Sequence, residues 1–550
     1  MKQDTLALAL FLLQGWTTYA EWWESHANPN EWPQARESAG ELLRSKIKEG
    51  GPSGLKPEGS QEKEFRVWQW LGEWPQVRGS FAKEFCELGK NEELVRAYLE
   101  NIQPEDRRVE ALQILLQMQA KAPQEVKDLP RLAVALALVF DQPMPGNWPH
   151  SQVASEAVPK EVVNPVKRLQ GMAQLQSKRR YVFNLTDLTV SELKFLVDHP
   201  LPEAEMEWAR KNVTTSRSSF DKVFPSIRYD FARLQAGVMT WPYPSYRLAD
   251  IKEKGGICVD QGYFAAMAGK GRGLPTLFFT GQGDSGGHAW FGYLDAPGRW
   301  VTDCGKYSEE NYPVGNALDP QTWKPITDTE LIFLAKGRER SDGYRQAKLW
   351  TDYASAMGPE EGGKFLEAAL ALQSEFLPAW MTRAGWLENG GDPQVKEEFW
   401  NSFVKRFARY PDLKVLGQER LLELAKAKGD SQWAKNLERQ ILVQNRTKRF
   451  DLSIGAAASQ VGERIELGDW VGAETAYRQA LREFKGQSGG HLFYGLVVPF
   501  VETALAEGQT GTAKNALQEA KRILKAGKDT LVGQGMIELE NRIKEAKAPG

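Results

Sequence analysis

A cysteine where a helix should begin, a histidine on a strand and an aspartate on the next strand are the residues of this chain best suited to covalent chemistry. Gly255 and Gly256 permit a tight turn, Cys258 follows, and Val259 to Lys270 is rich in helix formers with apolar spacing. Cys258 is therefore expected at a helix N-terminus, where unpaired N–H groups and the helix dipole favour a thiolate. Gly269, Gly271 and Gly273 end that helix. Leu274 to Thr280 reads as a strand, and the Gly-rich run Gly281 to Gly287 leads to His288. His288 to Leu294 reads as a second strand, Asp295 to Gly298 as a turn, and Arg299 to Asp303 as the returning antiparallel strand. If Leu294 opposes Arg299, Trp290 faces Asp303. His288 and Asp303 are then diagonal neighbours on one face, ~7–8 Å apart at the backbone. The carboxylate would hold one imidazole nitrogen while the other faces the thiol. A one-residue slip in register breaks this arrangement.

Four elements in this order carry a resemblance. They are Gly256-Ile257-Cys258 at a helix start, Gly273-Leu274-Pro275-Thr276 at a strand start, His288-Ala289-Trp290 on a strand and Trp300-Val301-Thr302-Asp303 on the next. Over about residues 225–335 the chain resembles the transglutaminase-like superfamily. The resemblance implies a papain-like α+β core with an antiparallel sheet. It also implies Cys258 as nucleophile, His288 as general base and acid, and Asp303 as the orienting acid. The substrate class it implies is a peptide or protein amide, attacked to give an acyl-thioester that water or an amine resolves. The Cys258 backbone N–H would supply one oxyanion donor. The upstream side chain that members of the superfamily commonly add falls here to Trp241 or Gln261. Tyr263 stands where the family often has a small residue. The alternative is a catalytically inactive fold of this kind, used as a scaffold that binds protein partners. No cofactor motif is visible, no Cys/His group has zinc spacing, and no calcium-binding cluster is evident.

Other motifs carry less. Gly283 to Gly287 spells GDSGG, a string found in trypsin-like serine proteases, but His26, His150 and His199 lack the context those enzymes need upstream. The string is expected to form a flexible loop lining a cleft. His150, beside Pro149, reads as structural. Three cysteines give no disulfide framework, so at least one thiol is not paired within the chain; Cys304 reads as buried packing.

At 550 residues the chain is long enough for about three or four structural units. The expected division is a signal peptide at 1–20, an N-terminal segment and linker at 21–63, a helical domain at 64–215, the catalytic core at 216–340, and a helical domain at 341–550. Residues 48–63, rich in Gly, Pro and charge, read as a flexible linker or exposed loop. Arg131 to Phe140 is apolar nearly all round and is expected to be a buried helix. Trp241 to Tyr246 contains two prolines and cannot be regular helix. In the last domain, Phe365-x-x-Ala368, Tyr477-x-x-Ala480 and Leu517-x-x-Ala520 recur, with Ala473 and Ala513 four residues before the last two. Small residues there let helices nest closely, and the pattern resembles tetratricopeptide-type repeats, which present a groove to a protein partner. The nineteen tryptophans are expected to fill contacts between helices. A net charge of −2 provides no general attraction for nucleic acid. Lys2, the apolar run Leu6 to Leu13 and Thr18-Tyr19-Ala20 resemble a weak secretory signal, so export to a periplasm or the exterior is expected; the alternative is that Leu6 to Trp16 starts an amphipathic helix of a cytoplasmic chain. No run of 18 apolar residues is apparent, so no integral membrane segment is expected.

Overall fold

The computed structural model describes residues 22–24, 28–77, 79–284, 286–335, 341–486, 489–528 and 530–546. The candidate signal peptide lies outside them. Helices flank one small antiparallel sheet in the middle of the chain, an α+β arrangement.

The N-terminal helices pack through aromatic rings, as the tryptophan content predicts. Trp70 stacks on Phe85 with centroids 4.9 Å apart, and Trp23 meets Trp32 edge-on at 5.5 Å. The helix Pro130–Val139 is buried at every position except Arg131, in keeping with its all-round apolar sequence. This region and the sheet share one continuous hydrophobic core running from Trp22 to Leu331. The expected boundary near residue 215 therefore divides a chain segment that shares a single core.

Residues 48–63 are not a free linker. Leu55 is fully buried in a cluster with Tyr353, Phe365 and Ala369 of the helix Asp342–Leu372. The Trp350 indole donates to the carbonyls of Pro52 (2.8 Å) and Leu55 (3.0 Å), and the Gln346 amide donates to Leu55 (2.8 Å). Gly and Pro make the backbone turn here, but one leucine and these carbonyls give it a docking site that composition alone does not reveal.

The sheet has the order β3-β2-β1-β4-β5, with β1 Thr276–Gln282, β2 Gly287–Ala296, β3 Arg299–Cys304, β4 Asn316–Leu318 and β5 Pro325–Thr327. In β1 and β2, Phe278 opposes Phe291 and Thr280 opposes Ala289, so these residues share one face. The helix Cys258–Gly271 covers that face. Gly262 comes so close to the Phe278 ring that a Cβ would sit 3.0 Å away, and Thr276 Oγ1 donates to Ala266 O at 2.7 Å.

The β2–β3 register differs from expectation. Ala296 pairs with Arg299 across Pro297-Gly298, and Leu294 pairs with Trp300. Further along, Phe291 pairs with Cys304 and Tyr293 with Val301, leaving Thr302 and Asp303 together opposite Gly292. The tight turn and this bulge move Asp303 out of register with Trp290.

Beyond residue 341 the chain is helical hairpins. Ala473, Tyr477, Ala480, Ala513, Leu517 and Ala520 are all buried between neighbouring helices, and Tyr477 Oη donates to Ala516 O at 3.0 Å. Ala368 is only half-buried; its neighbour Ala369 takes the core position. Among the described residues one helix, Gly489–Ala506, is long and apolar enough to cross a membrane by length and composition, against the expectation of no such segment. Leu492, Phe493, Leu496, Val497, Phe500, Val501 and Ala504 of that helix form the core of the last hairpins.

Candidate functional site

The start of the cysteine helix is fixed by a buried polar network. Gly255 has φ +79° and lies so close to Arg228 that a Cβ would meet its carbonyl oxygen at 2.4 Å, so only glycine fits the turn. Gly256 N donates to Arg228 O (3.0 Å), and Asp230 N donates to Gly256 O (3.0 Å). Asp260, two residues after Cys258, reaches back to accept the Ile257 N–H (2.8 Å). Its carboxylate also accepts from Arg233 Nη1 (2.6 Å) and Tyr246 Oη (2.8 Å). His150 Nε2 then donates to the Tyr246 oxygen (3.0 Å), and His150 Nδ1 accepts from Gln152 N (3.3 Å). Burial pushes the His150 pKa down to about 3, so it stays a neutral link in this chain. Each member is buried or half-buried, and together they hold the first turn of the helix.

Cys258 is the first residue of that helix, as expected. Burial pushes its thiol up to about 11, while the N–H groups of Ala289, Val259 and Cys258 itself pull the other way. The resting sulfur is therefore a thiol, with a set of N–H donors already aimed at it. All three cysteines are free thiols, and Cys304 is buried, with its pKa raised to about 12 by burial.

His288 lies on the other face of β2 from Ala289 by strand alternation, next to Trp290. Its Nε2 donates to Gly305 O at 2.7 Å. A carbonyl can only accept, so Nε2 carries the proton and Nδ1 keeps its lone pair. The segment after β3 wraps the ring: Tyr307 stacks on it at 4.1 Å and Tyr312 at 5.4 Å. Burial lowers the His288 pKa, opposed by the Gly305 carbonyl and the Glu310 carboxylate. Tyr307 also lies near enough to Cys258 for the sulfur to raise its pKa, after burial itself.

Cys258 and His288 line one cleft of about 730 Å³, together with Tyr229, Gln282, Tyr307, Glu310 and residues of the C-terminal helices. No hydrogen bond joins the sulfur to the imidazole. Asp303, expected to steer His288, does not meet it. It is exposed in the β3 bulge, and its charge acts instead on Cys304 and Tyr293, on the far side of the sheet. Gly305 occupies the steering position, with φ +101° and a Phe224 ring that a Cβ would approach to 2.8 Å.

Neither expected oxyanion side chain faces the cleft. The Trp241 indole N–H donates to Ser245 O (2.9 Å), and the buried Gln261 amide donates to Ile227 O (2.8 Å). Both donors are spent on nearby loops. The sequence reading also missed Gly305, Tyr307, Glu310 and Tyr312; a Gly directly after β3 followed by two tyrosines was the only signal. The Gly283–Gly287 loop does line the cleft, through Gly286 and Gly287, and is pinned by Gly490 N donating to Gly283 O (3.2 Å). Among the described residues no group of His, Cys, Asp and Glu is arranged to hold a metal ion. No protein-family model, curated protein or solved structure matches this chain.

Proposed function

We propose that the chain is a transglutaminase-like cysteine hydrolase or acyltransferase acting on peptide or protein amides. The observation that carries this reading is the shared cleft: a helix-capped thiol and an imidazole with a free Nδ1 line the same cavity. The chemistry is general-base rather than ion-pair chemistry. His288 Nδ1 takes the Cys258 proton as the sulfur attacks the carbonyl carbon, and the same nitrogen returns it to the leaving amine as the C–N bond breaks. The resulting thioester is opened by water or by a second amine. The N–H of Cys258 is placed at the first helical turn, where such groups lack helical partners, and suits the developing oxyanion. Tyr307, stacked on the imidazole and within electrostatic reach of the sulfur, borders the path between them. The C-terminal hairpins line the same cleft through Tyr494, Val498, Leu531 and Gln534.

The test is a peptide library incubated with the purified chain and read by mass. Hydrolysis, deamidation and amine incorporation give different mass shifts. Turnover that disappears in Cys258→Ala and His288→Ala, and survives in Cys86→Ala, supports the proposal. A second reading, a binding cleft without turnover, draws on the raised Cys258 thiol and the missing sulfur–imidazole hydrogen bond. Peptides that bind saturably but emerge unchanged in mass would favour it.

A further inference from the structure

Gln282 is the last residue of β1 and lines the cleft. Strand alternation places it on the face of Thr280, and Thr280 pairs with Ala289, whose N–H is aimed at the Cys258 sulfur. Gln282 thus sits two residues, or about 7 Å of strand, beyond the thiol's own contact with the sheet. Its Oε1 is buried and has no hydrogen-bond partner. Two glycines lie beside that oxygen: a Cβ on Gly287 would lie 3.5 Å from it and one on Gly490 3.1 Å. The backbone is held too, because the His491 ring interacts with the Gln282 main-chain carbonyl.

A buried carboxamide oxygen without a donor is costly, and a ligand that brings an N–H removes the cost. Exchanging the oxygen and nitrogen of the side chain leaves a buried N–H wanting an acceptor instead. Either way the complement is a primary carboxamide, whose C=O and syn N–H lie side by side, whereas a trans peptide bond points the two apart. We infer that Gln282 is the residue that reads a primary carboxamide of the substrate, pairing with its syn N–H and C=O and presenting its carbonyl carbon to Cys258. The inference rests on the proposed cleft chemistry for its purpose, but its test does not require turnover.

The full-length chain is alkylated separately with iodoacetamide, which carries a primary amide, and with methyl iodoacetate, which lacks the N–H. Rates are read at Cys258 and, as an internal control, at Cys86. The ratio of the two rates at Cys258 should exceed that at Cys86 by about tenfold, the effect of roughly one well-made hydrogen bond. In Gln282→Leu and Gln282→Met, which have no acceptor at that place, it should fall to the Cys86 value, with the circular dichroism spectrum unchanged. Equal ratios at the two cysteines in the unmodified chain, or a preference that survives both substitutions, overturns the inference; water alone then fills the Gln282 site. An amide preference in a chain that turns over no peptide would remove the hydrolase reading and leave this one standing.

Discussion

At the start of β2 the two faces of the sheet treat adjacent residues differently. On the Ala289 face the cysteine helix packs against the strands, and the Asp260 network sets its first turn. On the His288 face the imidazole is held by a carbonyl and two tyrosines from the segment after β3. The thiol is positioned by a buried, interlocked core, and the imidazole by an irregular segment at the cleft wall. The thiol and the imidazole are thus held by different segments, which meet where Tyr229, bridged to Gly256 at the cysteine cap, bonds Tyr307 on the imidazole side, and each side can be perturbed at its own support.

The sharpest way to separate the two sides is to remove the reactive groups. Cys258→Ala should abolish turnover, and His288→Ala should lower it by about 10²–10⁴-fold with little change in thermal midpoint, measured as kcat on a peptide found in the library. Next come the two supports. Arg233→Met leaves the Asp260 carboxylate buried beside Tyr246 without its cation and should cost about 3–5 kcal/mol in denaturant unfolding. Gly305→Ala forces a side chain into φ +101° against Phe224 and should cost about 1–3 kcal/mol. Its marker on the imidazole side is a displaced acid limb in the pH–rate profile, because the Gly305 carbonyl helps set the His288 pKa. A Gly305→Ala profile that overlays the unmodified one would dissolve the distinction between the two sides.

Smaller effects sharpen the same picture. Asp303→Asn should change kcat by no more than about twofold, since the side chain is exposed and bonded to neither reactive group. A loss near that of His288→Ala would return the steering role to the aspartate. Away from the site, burial raises Asp141 to about 7 and Asp106 to about 6. A raised folded-state pKa makes its stabilising contribution complete below the unfolded value and loses it as pH rises through the folded one. The thermal midpoint should therefore fall between about pH 4 and 8 from this pair, and Asp141→Asn should flatten that slope.

The part of the site legible in the sequence was the part built from local chemistry. Gly255-Gly256 before Cys258, and a helix after it, follow from backbone freedom and periodicity. The strand carrying His288 and its return strand were legible as well. The register was not, because a bulge at Thr302 and Asp303 depends on how β3 meets the rest of the sheet. Trp241 and Gln261 looked like donors because their side chains can donate; only the fold shows that Ser245 and Ile227 already accept from them. Tyr307, Tyr312 and Gly305 were invisible for the same reason, reaching His288 only through where the chain returns. Leu55 shows the general case: in a Gly/Pro-rich stretch a single apolar residue decided between a loose linker and a docked one.

The central claim is that Cys258 carries the acyl group. Rapid acid quenching during turnover of a cleaved or deamidated peptide, followed by proteolysis and mass spectrometry, reads this directly. The expected result is an acyl adduct on the Cys258 peptide that is absent in His288→Ala. Turnover with no adduct on Cys258, or an adduct that forms equally without His288, contradicts the account.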